Sequence, residues 1–343
     1  MSKSNGRARQ RRGSDQPTLA EVAELAGVSP ITASRALNTP ERVNDATRQR
    51  VLDAMDHLGY VPNLVAGSLA SARSKFIAVI VPSLANAVFI EVIKGLQSTF
   101  ESAGYQILLG NTDYDVEREH QLVRTFLGWS CSALVTAGLR HTPACRELLA
   151  GCDRPVMEVM ELGEAVDLNV GLDHHAAGGR MASHLLERGY RHVVYVGARM
   201  ADDYRARMRY EGHCKVLETA GLEPSLIELE RLGSLEAGAQ GLDQVRNDHP
   251  DTEAIHFAND DLATGALLHA QRLGLRVPGD IAIAGFNGLS LGQHVTPRLT
   301  TIQSPRETIG RIAAGEVIKR LAGSRVNRRR HDVGFHLLEG EST

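Results

Sequence analysis

From residue 76 to residue 322, short β-branched runs alternate with amphipathic helical stretches, and that order admits few folds. Strand–helix–strand repetition produces parallel sheets covered by helices on both faces. The spacing predicts strands at 77–81, 106–110, 133–136, 156–159, 169–172, 192–196, 227–229, 254–257 and 281–284. Helices are predicted at 86–103, 115–128, 174–189, 204–220, 236–248 and 260–274. So many strands exceed one comfortable sheet, so the expectation is an α/β body of two Rossmann-like lobes. The first lobe is placed at 76–172, and the second at 173–303. A last helix, 306–322, returns to the first lobe, which thereby regains about 304–330 and leaves 331–343 as a C-terminal strand and tail.

The preceding residues follow a different pattern. Residues 1–17 are polar and basic, as in a disordered arm. Residues 18–60 then carry three helical signals. Leu19, Val22, Ala23 and Ala26 repeat at helical spacing and stop at Gly27. Ser29-Pro30 restarts a helix, with serine as the cap and proline where no amide hydrogen is needed. A third helix follows Asn44 and buries Val51, Leu52, Met55 and Leu58. Three short helices make an all-α head too small for a catalytic scaffold. Residues 61–75, a hinge or linker, have two leucines among small residues and form a helix only with a partner to bury them.

Charge separates the two parts. The 343 residues hold 38 Lys/Arg and 41 Asp/Glu, a net of −3. Residues 1–75 contribute 11 basic against 7 acidic side chains (+4), and the remainder 27 against 34 (−7), which together recover −3. A basic helical head is the electrostatic footprint of a DNA-binding module. The longest apolar run, 76–81, is far too short to span a bilayer. The basic start is followed by Gly13-Ser14-Asp15-Gln16-Pro17 where a signal peptide needs an apolar stretch, so a cytoplasmic protein with no membrane partner is expected. Four cysteines without a C-x-x-C pair fit reduced thiols, and neither metal nor cofactor is expected. The phosphate-loop, dinucleotide, nucleophile-elbow and zinc-protease motifs are all missing, so no enzyme is expected. Adjacent His174 and His175 diverge by about 100° on a helix and are poorly placed for one ion.

In the second helix Ala33, Ala36 and Leu37 face inward, which turns Pro30, Ile31, Ser34, Arg35 and Asn38 outward. Such a face after a glycine turn fits a helix-turn-helix that reads the major groove. Arg35 suits guanine edges, and Ile31 suits thymine methyl groups. Thr18, Ser29, Thr32, Asn44 and Arg48 are better placed for phosphates.

The motifs Thr18-Leu19-Ala20-Glu21-Val22-Ala23, Ala26-Gly27-Val28-Ser29, Thr32-x-Ser34-Arg35-x-Leu37-Asn38 and Leu58-Gly59-Tyr60-x-Pro62-Asn63 resemble the head-piece of the LacI/GalR family of bacterial repressors. Val170-Gly171-Leu172-Asp173, Ala258-Asn259-Asp260-Asp261-Leu262-Ala263, Val277-Pro278-x-Asp280-Ile281, Gly285-Phe286 and Pro297-x-Leu299-Thr300-x-Ile302 resemble its effector domain, in order. The resemblance spans roughly 18–338 and implies a periplasmic-binding-protein-like body. It also implies a homodimer whose heads read a pseudo-palindromic operator. Residues 63–71 then correspond to a hinge helix, with Tyr60, Asn63, Leu69 and Ala70 at the DNA and Leu69 wedged into the minor groove. Pro30 and Ile31 are apolar where many relatives carry polar base readers. The chain ends at Thr343 without leucine heptads, so a dimer is expected over a coiled-coil tetramer.

Two lobes around a cleft hold a small ligand at the strands' carboxyl ends. The effector candidates there are Asn86, Phe89, Asn111, Asp113, Thr136, Glu158, Asp173, Arg199, Arg209, Asn259 and Asn287. By resemblance Arg209, in Arg209-x-x-Gly212, is the effector-contacting arginine, and Asn287 replaces an aspartate of sugar-sensing relatives. With Arg199, Arg205 and Arg207 nearby, the cleft leans toward an anionic polyol. Ala87-Val88-Phe89-x-Glu91-Val92, Gly104-Tyr105-Gln106, Thr142-Pro143, Gly197-Ala198-Arg199 and Ala282-Ile283-Ala284-Gly285-Phe286 resemble the gluconate-utilisation repressor branch. That implies a repressor released by gluconate, 2-ketogluconate or 6-phosphogluconate. The alternatives are a regulator responding to a neutral sugar or another metabolite, one acting by corepression, and a sugar-binding protein without DNA function.

Overall fold

The computed structural model describes residues 17–62, 74–84, 87–324 and 329–343, without the side chain of Asn38. The chain forms two compact units, 1–71 and 72–343. Residues 1–16 of the arm expected at 1–17 and residues 63–73 of the hinge expected at 61–75 lie outside the described residues.

The first unit contains helices α1 (Leu19–Leu25), α2 (Pro30–Asn38) and α3 (Asp45–Leu58). Each start is fixed by a polar cap. The Thr18 hydroxyl accepts the Glu21 amide while the Glu21 carboxylate accepts the Thr18 amide, a reciprocal box. Ser29 caps α2 ahead of Pro30, and Asn44 accepts the Thr47 amide at 2.8 Å. Gly27, at φ +65°, turns the chain between α1 and α2. Val22, Ala23, Ala26, Ala33, Ala36, Val51 and Ala54 form the core, and such small side chains allow the helices to pack closely.

The second unit holds two six-stranded sheets. The first has the order β2 (Gln106–Asn111), β1 (Phe76–Val81), β3 (Ala133–Ala137), β4 (Val156–Glu161), β5 (Leu168–Leu172) and β11 (Arg330–Asp332), all parallel. The second has the order β7 (Ser225–Leu229), β6 (Val193–Ala198), β8 (Ala254–Phe257), β9 (Ala282–Asn287), β10 (Thr300–Gln303) and β12 (His336–Leu338), with β12 alone antiparallel to its neighbour. Helices α4 (Ala87–Ser102), α5 (Val116–Gly128), α6 (Pro143–Gly151) and α11 (Arg306–Leu321) belong with the first sheet. Helices α7 (His174–Glu187), α8 (Tyr204–Thr219), α9 (Leu235–Asp248) and α10 (Asp260–Arg272) belong with the second. In each sheet the order reverses beside the first strand, β1 or β6, which creates a crevice at the carboxyl ends.

The pattern missed α6 and β10, and expected one strand at the C-terminal end where there are two, β11 and β12. Helix α6 is short, although Thr142 caps it and Pro143 opens it as in α2. Strand β10 is mostly threonine, and β11 and β12 are three-residue edge strands with polar residues. Strands β6 and β9 also run beyond their expected ends at 196 and 284, because Gly197-Ala198 and Gly285-Phe286-Asn287 continue the ladder with residues that read as turns.

Close helix packing orients the interior. A methyl group on Gly178 of α7 would lie 1.9 Å from the Arg209 carbonyl oxygen, and one on Gly212 of α8 would lie 1.9 Å from that of His175. Only glycine at both points lets α8 approach α7 closely enough to aim Arg209 inward. Beneath them, His213 and His256 are buried with their Nδ1 atoms 3.0 Å apart, packed against Tyr195. Burial pushes His213 down to about 3. Burial, then the charges of His213 and Arg209, also push His256 well below its usual value. A folded value below the unfolded one means that protons favour the unfolded chain, so stability is lost as pH falls from about 6.5 toward 3. Each such histidine contributes at most about 1.4 kcal/mol per pH unit. Melting temperature followed from pH 7 to 4 is expected to drop steeply in the wild type and less in His213→Phe; parallel curves would contradict this. Among the described residues no helix is long and apolar enough to cross a membrane.

Candidate functional site

In the helical head, α2 presents Pro30, Ile31 and Arg35 to solvent, and Ile31 is 64% exposed. The exposed isoleucine offers apolar contact for thymine methyl groups, and the arginine beside it offers donors for guanine edges. Ser34 and Thr32 are half-buried at the edge of this face. Thr18, Ser29 and Asn44 spend their side-chain oxygens on caps, so what they present to a phosphate is the amide-rich start of a helix. Arg48 is exposed on α3, whereas Tyr60 packs against the core. Asn63, Leu69, Ala70 and Asn86 lie outside the described residues, as does the side chain of Asn38.

In the second unit a narrow cleft opens between the sheets. Val88, Phe89, Tyr114 and Met160 line it on one side, and His174, Asp203, Arg205, Arg209, Asn259, Phe286, Asn287 and Ser304 on the other, with Asp203 3.9 Å from the Arg209 guanidinium. Arg209 is 3% exposed and its guanidinium sits 4.1 Å over the Phe286 ring. It donates to His174 Nδ1 at 3.0 Å and to the Ala258 carbonyl at 2.9 Å, while its Nε has no hydrogen-bond partner. Accepting that bond keeps His174 neutral; burial first, and then the Arg209 and Arg205 charges, push it well below its usual value. The buried Ser304 hydroxyl is also unpartnered. Met160 at φ +97° and Asn287 at φ +125° hold backbone conformations that side chains rarely adopt. Such strain gathers where a ligand is bound.

Arg205, one helical turn before Arg209, donates to Glu161 at 3.1 Å. Its guanidinium lies over the rings of Tyr204 and Phe89. Burial opposes its charge, and Tyr204, Glu161 and Asp203 more than offset that, so its affinity for its proton rises. The 138–141 loop after β3 closes over this pair. Its anchor is His141, held between Glu119 at 2.8 Å and Glu158 at 3.0 Å. Burial alone would depress His141, but bonds to Cys145, Glu119 and Glu158 prevail and push it up to about 11, so it is an imidazolium donating to both carboxylates.

Of the expected effector residues, Phe89, Arg209, Asn259 and Asn287 meet in this cleft. Asn259 also caps α10 through the Leu262 amide. The others are placed elsewhere. Glu158 is consumed by His141 and the Val166 amide. Asn111 donates to Asp113, which pairs with Arg118 on the surface. Asp173 is an exposed cap of α7, and Arg199 pairs with Asp202. Thr136 is wholly buried with an unpartnered hydroxyl and does not reach the lining. Arg207 pairs with Glu228 on the outer face of α8. Sequence reasoning passed over His174, Glu161, Tyr204 and Ser304 and gave Arg205 no separate role. The four-residue spacing of Arg205 and Arg209 was a signal for one shared helix face.

Comparison with known proteins agrees with both units. The family described as "Bacterial regulatory proteins, lacI family" matches residues 18–63, and the "Periplasmic binding protein-like domain" matches 182–343. The HTH-type transcriptional regulator GntR of Pseudomonas aeruginosa is 41% identical over 335 residues, covering 97% of each chain. A LacI-family transcriptional regulator from Silicibacter pomeroyi superposes with a TM-score of 0.89 at 39% identity, over 95% of this chain and 99% of that one. The lac repressor dimer bound to operator superposes with a TM-score of 0.84 at 25% identity, over 95% and 99% respectively. A helix-turn-helix head, a two-sheet body and relatives named as regulators rather than enzymes converge, and the chain belongs to the LacI family of bacterial DNA-binding transcriptional regulators.

Proposed function

We propose that this repressor holds a pseudo-palindromic operator as a cytoplasmic homodimer and is released by a sugar acid of the gluconate type. The observation that carries the ligand class is the pair Arg205 and Arg209, two buried guanidinium groups one turn apart in a cleft whose remaining lining is amides, hydroxyls, the neutral His174 imidazole, apolar side chains and a single carboxylate, Asp203, 3.9 Å from Arg209. Buried arginine favours a planar carboxylate that it can grip with two parallel bonds. Asn259 and Asn287 carry amides that both donate and accept, which suits a row of hydroxyls. The motif resemblance to the gluconate branch and the identity with a regulator named GntR support the same class. The dimer seen for the lac repressor supports two heads acting together, with Arg35 and Ile31 reading bases and the hinge residues Asn63, Leu69 and Ala70 at the minor groove.

Isothermal titration of the full-length protein with gluconate, 2-ketogluconate, 6-phosphogluconate, glucose and ribose tests the class. Saturable binding of at least one acid, about tenfold or more tighter than either neutral sugar, is expected, since one charge-assisted contact contributes 1.5–3 kcal/mol. Binding confined to a neutral sugar would overturn it.

A further inference from the structure

Glu161 and Arg205 form an ion pair across the cleft, from the end of β4 to the start of α8. Both are nearly inaccessible to solvent. The Glu161 carboxylate accepts from Arg205 with one oxygen and from the Leu139 amide and the Tyr204 hydroxyl with the other. Arg205 lines the inner cleft and also a second, larger opening lined by Tyr114, Gly138, Arg140 and Tyr204. Gly138, at φ +136°, packs so tightly here that a methyl group on it would lie 2.7 Å from the Tyr204 hydroxyl. A second crossing runs from Arg140 to the Ala201 carbonyl at 2.7 Å. The loop supplying Leu139 and Arg140 is fixed by the imidazolium of His141.

We propose that Glu161 is a resident anion, occupying Arg205 when the cleft holds no ligand and displaced when the carboxylate of an effector takes its place. This rests on the sugar-acid reading above and adds its recognition element: Arg205 reads the carboxylate, and Glu161 sets how strongly a ligand must compete. Exchange keeps the Arg205 guanidinium paired throughout, while the displaced Glu161 carboxylate keeps the Leu139 amide and the Tyr204 hydroxyl as donors and makes up for its lost countercharge by gaining water or a proton as the two halves separate. A neutral polyol offers no such exchange and leaves Glu161 in place. Because Glu161 belongs to the first sheet and Tyr204–Arg205 to the second, the exchange removes one of the bonds that tie the two halves together and couples ligand charge to their separation.

The test is calorimetric titration of the full-length protein and three variants with gluconate and with glucitol, its neutral counterpart. Glu161→Gln removes the competing charge at nearly constant shape and is expected to bind gluconate about tenfold more tightly, with no comparable gain for glucitol. Tyr204→Phe keeps every charge and removes one donor from Glu161, and is expected to tighten gluconate severalfold. Arg205→Gln is expected to lose gluconate affinity about tenfold or more. Structural damage weakens binding, so tightening is a result that damage does not produce. Wild type binding gluconate while Glu161→Gln and Tyr204→Phe, folded by circular dichroism, bind it equally or more weakly would overturn the exchange and leave the sugar-acid reading standing. If Glu161→Gln fails to fold, Tyr204→Phe decides alone. Wild type binding neither sugar acid nor glucitol would remove the reading itself and this inference with it.

Discussion

Replacing Arg209 by alanine is expected to leave operator affinity within about twofold of wild type and to weaken gluconate binding about a hundredfold, a loss of about 3 kcal/mol. Arg209 is held inward by the close approach of α7 and α8 at Gly178 and Gly212, lies over Phe286, lines the cleft, and keeps a buried Nε without a hydrogen-bond partner. Truncation removes a charge-assisted donor and also leaves His174 Nδ1 and the Ala258 carbonyl without their bonds. Calorimetry with gluconate and a melting curve in the same buffer separate loss of the ligand from loss of the fold. An Arg209→Ala protein that binds gluconate as wild type would place the ligand elsewhere.

The second large effect is expected in the head. Arg35→Ala should weaken binding to the specific operator by about 1–3 kcal/mol, some five- to 150-fold, and relax selectivity at one base position in each half-site. Binding to unrelated DNA should change little, because phosphate contacts supply that term and Arg48 and the helix starts of α1, α2 and α3 remain. Arg35 is exposed and outside the head's core, so stability should not move. Equal losses on specific and unrelated duplexes would make Arg35 a phosphate contact rather than a base reader.

Much of this molecule is legible in its residues because local chemistry and fold agree. Caps at Thr18, Ser29 and Asn44 mark the head's helices without any tertiary information. Alternation of β-branched runs and amphipathic helices marks the parallel sheets, since strands covered on both faces must be apolar throughout. What escaped is what depends on partners distant in the chain. β11 and β12 exist as strands because β5 and β10 offer them free edges, and nothing in Arg330-His331-Asp332 announces that. The cleft was legible where a residue is fixed by its own element, as Asn259 is by capping α10 and Phe89 by the inner face of α4. It was illegible where two carboxylates compete for roles. Glu158 and Glu161 lie three residues apart on β4, so they point to opposite sides of the sheet. Only the fold shows that Glu158 faces His141 while Glu161 faces Arg205.

Fluorescence anisotropy decides most directly whether a sugar acid controls DNA binding. A labelled operator duplex, recovered from random DNA by selection with the full-length protein, is held in complex at fixed salt and titrated with gluconate, glucitol and glucose. The expected result is a saturable fall to the value of free DNA with gluconate alone. Release by glucose or glucitol with gluconate inert, or a rise in affinity on adding gluconate, would contradict it.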